Sequence, residues 1–189
     1  WRSLARGPHA EALILGTDGN LYVIDPNTGA TVKTIAVTEK WTEPEDWQHY
    51  QTANAKFAEA ALEEMRSVEE PCVLIQDYHL YLAASKIRER RPDALLLHFN
   101  HIPWPAVDSW MVLPQGLRRA ICEGLLANDI VGLQTDRYAT NFLASVEAFV
   151  RDARIDPAGR HVRWRGRTIW VRAYPISIDP DALALFSRS

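Results

Sequence analysis

The sequence contains only two cysteines, Cys72 and Cys122, among 189 residues. Both stand in apolar segments without metal-ligand spacing, so we expect buried free thiols in place of a disulfide or a zinc site. Residues 1–9 lack the apolar stretch of a signal peptide, and no apolar run approaches the roughly 20 residues of a membrane-spanning helix. The sequence therefore predicts a cytoplasmic domain that does not contact a membrane.

The sequence also lacks a surplus of positive charge. Its 24 Asp and Glu residues outnumber 21 Lys and Arg residues, which gives a formal net charge of −3. The arginines are scattered along the chain, whereas a nucleic-acid surface gathers them on one face. We therefore expect no nucleic-acid partner.

Several catalytic motifs are missing as well. The sequence has no Gly-x-Ser-x-Gly nucleophile elbow, no phosphate loop that ends in Gly-Lys-Ser/Thr and no His-Glu-x-x-His helix. These absences argue against a hydrolase triad, a P-loop enzyme and a zinc protease. Nucleophilic and metal chemistry thus find little support.

The N-terminal part has the pattern of a β-meander. Between residues 11 and 37, three β-rich runs are separated by the turn segments Asp18-Gly19-Asn20 and Asp25-Pro26-Asn27-Thr28-Gly29. We expect residues 1–40 to form an appendage. The remaining chain, in a sequence with 47% hydrophobic residues, can bury one substantial core.

From Pro44 onward the pattern alternates between helices and short apolar strands. Apolar residues from Trp47 to Met65 recur with helical spacing, and Thr42 is a suitable N-cap. The alternation predicts an α/β domain, a Rossmann-like parallel sheet with flanking helices and right-handed crossovers, over residues 41–182. The predicted strands are Cys72–Ile75, Ala94–Phe99 and Asp129–Leu133; the helices are Leu80–Arg91, Pro105–Ala127 with a break at Pro114, and a helix capped by Thr135; a hairpin joins His161–Trp164 to Thr168–Ala173.

Polar residues follow two of the predicted strands. Ligands of open α/β sheets bind outside the carboxyl ends of the strands, which draws attention to the segments 76–79 and 100–105. Asp77 can accept hydrogen bonds from sugar hydroxyls, and His101 can donate one or carry a proton. Trp104 can offer an apolar face to a sugar ring.

Structural interpretations of these residues stay open at this point. Asp77 could cap the helix that follows it, His101 could be a structural histidine, and Trp104 could pack in the core. Arginines near the C-terminus could attract phosphate or form a solvated strand face. They are Arg160, Arg163, Arg165, Arg167 and Arg172.

Four ordered motifs together resemble the trehalose-6-phosphate synthases and their close relatives in glycosyltransferase family 20. The resemblance covers about residues 41–182, and a helix with Tyr50 and Asn54 before the first motif also resembles the family. The motifs are Gln76-Asp77-Tyr78-His79-Leu80, His101-Ile102-Pro103-Trp104-Pro105, Val131-Gly132-Leu133-Gln134-Thr135-Asp136-Arg137 and Tyr174-Pro175-Ile176-Ser177-Ile178-Asp179.

The resemblance implies the N-terminal half of a GT-B glycosyltransferase. Such enzymes transfer glucose from a nucleotide-glucose donor such as UDP-glucose to glucose 6-phosphate, with retention at the anomeric carbon and without a metal or another cofactor. Asp77 would hold acceptor hydroxyls, and His101, the catalytic residue, would lie beside the transferred glucose. Tyr78, Trp104, Gln134 and Arg137 would complete the substrate-binding set.

The sequence departs from the family pattern at several places. Gln76 stands where the family usually has His, and Ser177 where it often has Gly. Residues 11–37 resemble a single repeat of a quinoprotein-type β-propeller, which cannot bury its own face. Such a unit could pack on the sheet, pair with another copy to give a homo-oligomer, or replace the family's N-terminal loop.

The chain is therefore expected to be incomplete as an enzyme. It begins at Trp1 and ends soon after Asp179, so residues 183–189 would start a linker or tail and the C-terminal donor-binding domain would be missing. Two alternatives remain: a non-catalytic assembly module that associates through the meander, and a related glucosylglycerol-phosphate synthase or pseudo-glycosyltransferase.

Overall fold

The structure is a computed structural model that describes residues 4–6, 12–15, 20–25, 28, 30–36 and 45–177. It confirms an α/β domain preceded by a β-meander. The strands are β1 Leu4–Arg6, β2 Ala12–Leu15, β3 Asn20–Ile24, β4 Thr31–Ala36, β5 Cys72–Gln76, β6 Leu95–Asn100, β7 Ile130–Leu133, β8 Arg154–Asp156, β9 His161–Trp164 and β10 Arg167–Ala173; the helices are α1 Glu45–Glu64, α2 Ala83–Arg90, α3 Val107–Trp110, α4 Gln115–Leu126 and α5 Asp136–Phe149.

Two sheets are present in the described residues. The first is an antiparallel sheet in the order β1-β2-β3-β4, which is a meander. The second has six strands in the order β5-β6-β7-β10-β9-β8. Strands β5, β6, β7 and β10 are parallel, while β9 and β8 add antiparallel strands at one edge. The predicted hairpin is therefore part of the main sheet.

Helical periodicity explains how the helices pack. In α1 the buried residues Asn54, Ala58 and Leu62 are four apart and so share one face. Helix α5 begins at a cap in which the Thr135 hydroxyl accepts a hydrogen bond from the Tyr138 N–H, as predicted. Its buried residues face the sheet and include Phe142, Leu143 and Val146.

Helix α4 approaches the turn before α2 more closely than any side chain would allow. A Cβ atom built on Gly124 would lie 2.3 Å from the carbonyl oxygen of Tyr81. Backbone cannot yield as a flexible side chain would, so glycine is required at this contact. The close approach brings Tyr81 into the main core beside Leu125.

The core lies between the helices and one face of the six-stranded sheet. The buried strand residues alternate, as Leu96 and His98 do in β6 and Ile169 and Val171 do in β10. On the opposite face Leu74, Leu95 and Trp170 are 64%, 48% and 41% exposed. Within the described residues, the helices thus cover one face of the sheet.

Several local expectations differ from the structure. Strand β5 was expected to be buried on both faces, but it is the outer strand, and Cys72 is consequently exposed while Cys122 is buried. The predicted helix Leu80–Arg91 is divided into a 3-10 turn, Tyr78–Leu80, and α2. The short strand β8 was not predicted. The proposed cap Thr42 and residues 183–189 lie outside the described residues.

Candidate active site at the carboxyl ends of the parallel strands

The carboxyl ends of the parallel strands bring the predicted motifs together. Gln76 pairs with Phe99 in the register of β5 and β6, and the Asp77 N–H donates to the Phe99 carbonyl over 2.8 Å. At the end of β7, the Tyr174 N–H likewise donates to the Leu133 carbonyl over 2.8 Å. The segments that follow four strands therefore meet at one edge of the sheet, where α/β folds bind ligands.

Asp77 has an unusual backbone conformation, with φ 64° and ψ 177°. This region of φ/ψ space is essentially restricted to glycine, and residues forced into it cost of the order of 1–3 kcal/mol. Such strain persists only where the surroundings hold the residue in place. It tends to occur at functional sites, which makes Asp77 the leading candidate here.

Three hydrogen bonds hold the strained residue in addition to the strand contact. The Asp77 carbonyl accepts from the His98 Nε2–H over 3.1 Å and from the Leu80 N–H over 3.3 Å. The Asp77 Oδ1 atom accepts from the His101 N–H over 3.1 Å. The carboxylate makes no hydrogen bond as a cap of the turn that follows it. The capping interpretation of Asp77 is therefore wrong.

Helix α1 fixes the turn that carries the first motif. The Tyr50 hydroxyl donates to the Tyr78 carbonyl over 2.7 Å and accepts from the Tyr81 N–H over 3.0 Å. The Asn54 amide donates to the His79 carbonyl and accepts from the Leu82 N–H, each over 3.0 Å. Burial raises the pKa of Tyr50 to about 12, so its hydroxyl stays protonated at neutral pH.

His101 is exposed at the end of β6 but its ring is held on two sides. The His101 Nε2–H donates to the Gln76 amide oxygen over 2.7 Å. The Phe99 ring meets the imidazole edge to face, with 4.7 Å between ring centroids. The Phe99 ring in turn lies over Gly132, where an added Cβ would stand 2.8 Å from it.

Two buried polar residues of β6 were not identified from the sequence. His98 is 0% exposed, and burial lowers its pKa to about 4, so it is neutral at pH 7. Asn100 accepts from the Tyr81 hydroxyl over 2.6 Å and donates to the Ile102 carbonyl over 2.7 Å. The available signal was the alternation of polar residues in a strand that is otherwise apolar, because buried polar groups need partners.

Trp104 was predicted to contact a sugar through its ring, and the structure contradicts this. The side chain is 1% exposed and packs against Trp110 and Phe142 at centroid distances of 4.7 and 5.0 Å. Its indole N–H donates to the Ser145 hydroxyl over 3.0 Å. The packing interpretation is therefore the one that applies, because no face of the ring is open to a ligand.

The other predicted binding residues lie around the same edge without joining the Asp77–His101 pair. The Tyr78 ring stacks on His79 with 3.9 Å between centroids and is 43% exposed. The Gln134 amide oxygen accepts from the Ile176 N–H over 3.1 Å. Arg137 is exposed in the first turn of α5. Their roles in substrate binding remain predictions.

The C-terminal arginines do not form one cluster, because most of them bind within the chain. Arg160 pairs with Asp136, and Arg165 stacks on Trp164 at 4.0 Å from the ring centroid. Arg167 pairs with Asp129 over 2.8 Å. Arg172 donates to the Arg160 carbonyl over 3.0 Å. This arrangement gives no support to a phosphate site built from all five.

The geometry equips Asp77 and His101 for hydrogen bonding to a polyhydroxylated ligand. One carboxylate oxygen of Asp77 is engaged by the His101 N–H; within the described part of the chain, Oδ2 receives no hydrogen bond. A carboxylate oxygen of this kind accepts from hydroxyl groups in short, strong hydrogen bonds. His101 presents its Nδ1 atom as an acceptor, since Nε2 carries the proton donated to Gln76.

The backbone strain at Asp77 leads to a prediction about stability. We expect the Asp77→Gly chain to be more stable than the Asp77→Ala chain by about 1–2 kcal/mol, because only glycine relieves the strain and both variants lose the carboxylate. Urea unfolding of the two variants measures the difference. An alanine variant equal to or more stable than the glycine variant would contradict the strain.

The fold and site define an α/β domain whose candidate ligand site lies at the carboxyl ends of parallel strands. The chain belongs to Glycosyltransferase family 20, whose sequence model matches residues 33–188. The match starts within β4, so the predicted domain boundary at residues 40/41 remains a prediction. Among the described residues, no helix is long and apolar enough to cross a membrane.

Individual relatives agree with this membership. A validamine 7-phosphate valienyltransferase of Streptomyces hygroscopicus subsp. jinggangensis is 37% identical over 77% of this chain and 31% of its own length. A UDP-forming alpha,alpha-trehalose-phosphate synthase of Candida albicans is 34% identical over 71% of this chain and 28% of its own length. The chain thus spans about three tenths of the length of these relatives.

A solved structure shows the same fold. The UDP-forming alpha,alpha-trehalose-phosphate synthase of Burkholderia xenovorans, determined in complex with glucose 6-phosphate, superposes with a TM-score of 0.61 at 27% identity. The alignment covers 77% of this chain and 32% of that chain. The predicted recognition of a trehalose-6-phosphate synthase-type glycosyltransferase fold is therefore confirmed.

Proposed function

We propose that this chain is the acceptor-binding part of a retaining glucosyltransferase that makes trehalose 6-phosphate. In this reaction glucose passes from a nucleotide-glucose, such as UDP-glucose, to glucose 6-phosphate. The single observation that carries the proposal is the strained Asp77, whose carboxylate is fixed beside His101 at the carboxyl ends of the strands. The relatives named as UDP-forming trehalose-phosphate synthases support the choice of donor and product.

Asp77 and His101 divide the work in this proposal. Asp77 accepts a hydrogen bond from a hydroxyl of the acceptor sugar through Oδ2, and His101 accepts one from the transferred glucose through Nδ1. The bond from the anomeric carbon to the diphosphate breaks, a bond to the acceptor oxygen forms on the same face, and the acceptor proton passes to the leaving phosphate. The residues act by positioning and electrostatic stabilisation.

The donor-binding part would come from a second Rossmann-like domain, because the relatives are about three times as long as the matched region. The proposal therefore assigns to this chain one wall of a cleft. It predicts measurable binding of the acceptor to the chain and transfer only in a two-domain protein.

Acceptor binding is tested with the 189-residue chain. We expect glucose 6-phosphate to shift the amide NMR signals of Asp77 and His101, and we expect Asp77→Ala to weaken this binding at least about tenfold, the loss of one charge-assisted hydrogen bond. Glu147→Ala, which removes an exposed carboxylate from α5, should bind as the parent chain does. Equal affinities of all three chains would overturn the role of Asp77.

The transfer reaction is tested separately in a protein that joins this chain to a donor-binding domain. We expect trehalose 6-phosphate to form from UDP-glucose and glucose 6-phosphate in the parent and not in the Asp77→Ala variant. Failure of the parent with these substrates, with a folded protein, would contradict the proposed activity.

A second candidate function follows from one specific observation. The valienyltransferase relative, at 37% identity, is named for a cyclitol phosphate acceptor, validamine 7-phosphate. A pseudo-glycosyltransferase would use the same Asp77 carboxylate to hold hydroxyls of a cyclitol. Competition between validamine 7-phosphate and glucose 6-phosphate for the chain separates the two candidates, since the preferred acceptor displaces the other at the lower concentration.

A further inference from the structure

Gln76 lies where three side chains share one face of the sheet. Gln76 is the register partner of Phe99, and His101 follows Phe99 by two residues along the chain. Successive side chains of a strand alternate between faces, so all three point away from the face that the helices cover. The amide of Gln76 thus reaches the imidazole of His101 directly, with 2.7 Å between Oε1 and Nε2.

The hydrogen bond fixes which ring nitrogen carries the proton. An amide oxygen can only accept, so Nε2 of His101 must donate and Nδ1 of the neutral ring must be an acceptor. The Phe99 ring restrains the imidazole from a second side, at 4.7 Å between centroids. Phe99 is itself held, because it is 8% exposed and lies over Gly132.

We infer that Gln76 is a positioning residue that holds the His101 imidazole in one tautomer and one orientation, with Nδ1 directed away from the strand end as the acceptor for a ligand hydroxyl. Only the assignment of that hydroxyl to the transferred glucose rests on the proposed function. The hydrogen bond itself involves no ligand, so the positioning can be measured in the chain alone.

A neutral amide suits this task better than the other residues that could reach His101. A carboxylate would also accept from Nε2 but would favour the doubly protonated ring, which has no acceptor at Nδ1. A methionine of the same length would leave the ring free to change tautomer. The departure from the family pattern at Gln76 therefore has a physical consequence for the histidine.

The test is an NMR measurement on the 189-residue chain with labelled histidine, at a pH where the ring is neutral. The two ¹⁵N shifts of the His101 ring report the tautomer, and an Asn substitution at His101 assigns them. We expect the parent to show a protonated Nε2 and an unprotonated Nδ1. In Gln76→Met the two shifts should move toward each other, and the nuclear Overhauser contacts between His101 and Phe99 should weaken.

Three comparisons make the result decisive. Gln76→Glu keeps an acceptor oxygen and should preserve the protonated Nε2. Gln134→Met removes another strand-end amide, which binds the Ile176 N–H and not His101, and should leave the His101 signals unchanged. Gln76 is exposed, so thermal unfolding of Gln76→Met should match the parent. Unchanged His101 shifts in Gln76→Met, or equal changes in Gln134→Met, would overturn the inference.

A kinetic comparison then tests the consequence for catalysis. In a two-domain protein that transfers glucose, we expect Gln76→Met to lower kcat about tenfold with less than about a twofold change in KM for the sugar phosphate. An unchanged kcat would overturn the catalytic part of the inference. Absence of transfer in the parent protein would count against the proposed function alone, because the NMR result does not depend on it.

Discussion

Replacing Trp104 with alanine is expected to lower the free energy of unfolding by about 3–5 kcal/mol, the usual cost of removing a large aromatic side chain from a core. The indole is 1% exposed and makes edge or tilted contacts with Tyr81, Trp110 and Phe142. Truncation would leave a cavity at the junction of β6, α3 and α5. It would also leave the Ser145 hydroxyl without the indole donor.

Two further variants separate packing from ligand binding. Trp104→Phe keeps an aromatic ring but loses the hydrogen bond to Ser145, and we expect a loss of about 1–2 kcal/mol. Trp170→Ala removes a tryptophan that is 41% exposed on the open sheet face and should cost clearly less than Trp104→Ala. Urea unfolding compares the three. A Trp104→Ala chain as stable as Trp170→Ala would contradict the burial of Trp104.

Patterns that repeat along the chain were read correctly from the sequence. The spacing of Asn54, Ala58 and Leu62 defines one helical face, and the structure buries that face in α1. The break predicted at Pro114 separates α3 from α4, because proline disfavours a helical conformation in the residue before it. Short-range chemistry was sufficient at these positions.

Features that depend on the assembled sheet could not be predicted in the same way. An apolar run such as Cys72–Gln76 reads identically whether the strand is central or at an edge, and only the strand order shows that β5 lies outside. Trp104 has the same sequence context in either of its two roles. Its burial follows from α5, which lies about 40 residues further along the chain and supplies Phe142 and Ser145.

The candidate site shows the same division. The sequence singled out Asp77 and His101 because they follow apolar strands, and the structure joins them through a hydrogen bond of 3.1 Å. The strain at Asp77 and the contact between Gln76 and His101 both depend on the register of β5 with β6. Gln76 was treated as a harmless departure from the family because the sequence contains no information about that register.

Asp129 is the hub of the polar network at the amino end of β7. Its carboxylate accepts from the Leu96 N–H over 2.8 Å, from Arg88 over 2.7 Å and from Arg167 over 2.8 Å. The two guanidinium groups also donate to carbonyls at the end of α4, including that of Ala127. Burial alone would raise the pKa of Asp129, but these hydrogen bonds outweigh it and hold the pKa below its ordinary value.

Asp129→Asn is therefore expected to lower the free energy of unfolding at pH 7 by about 2–4 kcal/mol, since it leaves two partly buried arginines without their anion. Because the folded-state pKa of Asp129 is lowered, its stabilisation is complete above the unfolded pKa of about 3.9 and is lost as the pH falls through the folded value. The difference between parent and variant should consequently shrink on acidification, as urea unfolding at neutral and acid pH would show. Asp93→Asn, which disrupts the exposed pair with Arg91, should change stability little at either pH. A parent–variant difference that stays constant with pH would contradict the assignment of the charged carboxylate as the stabilising form.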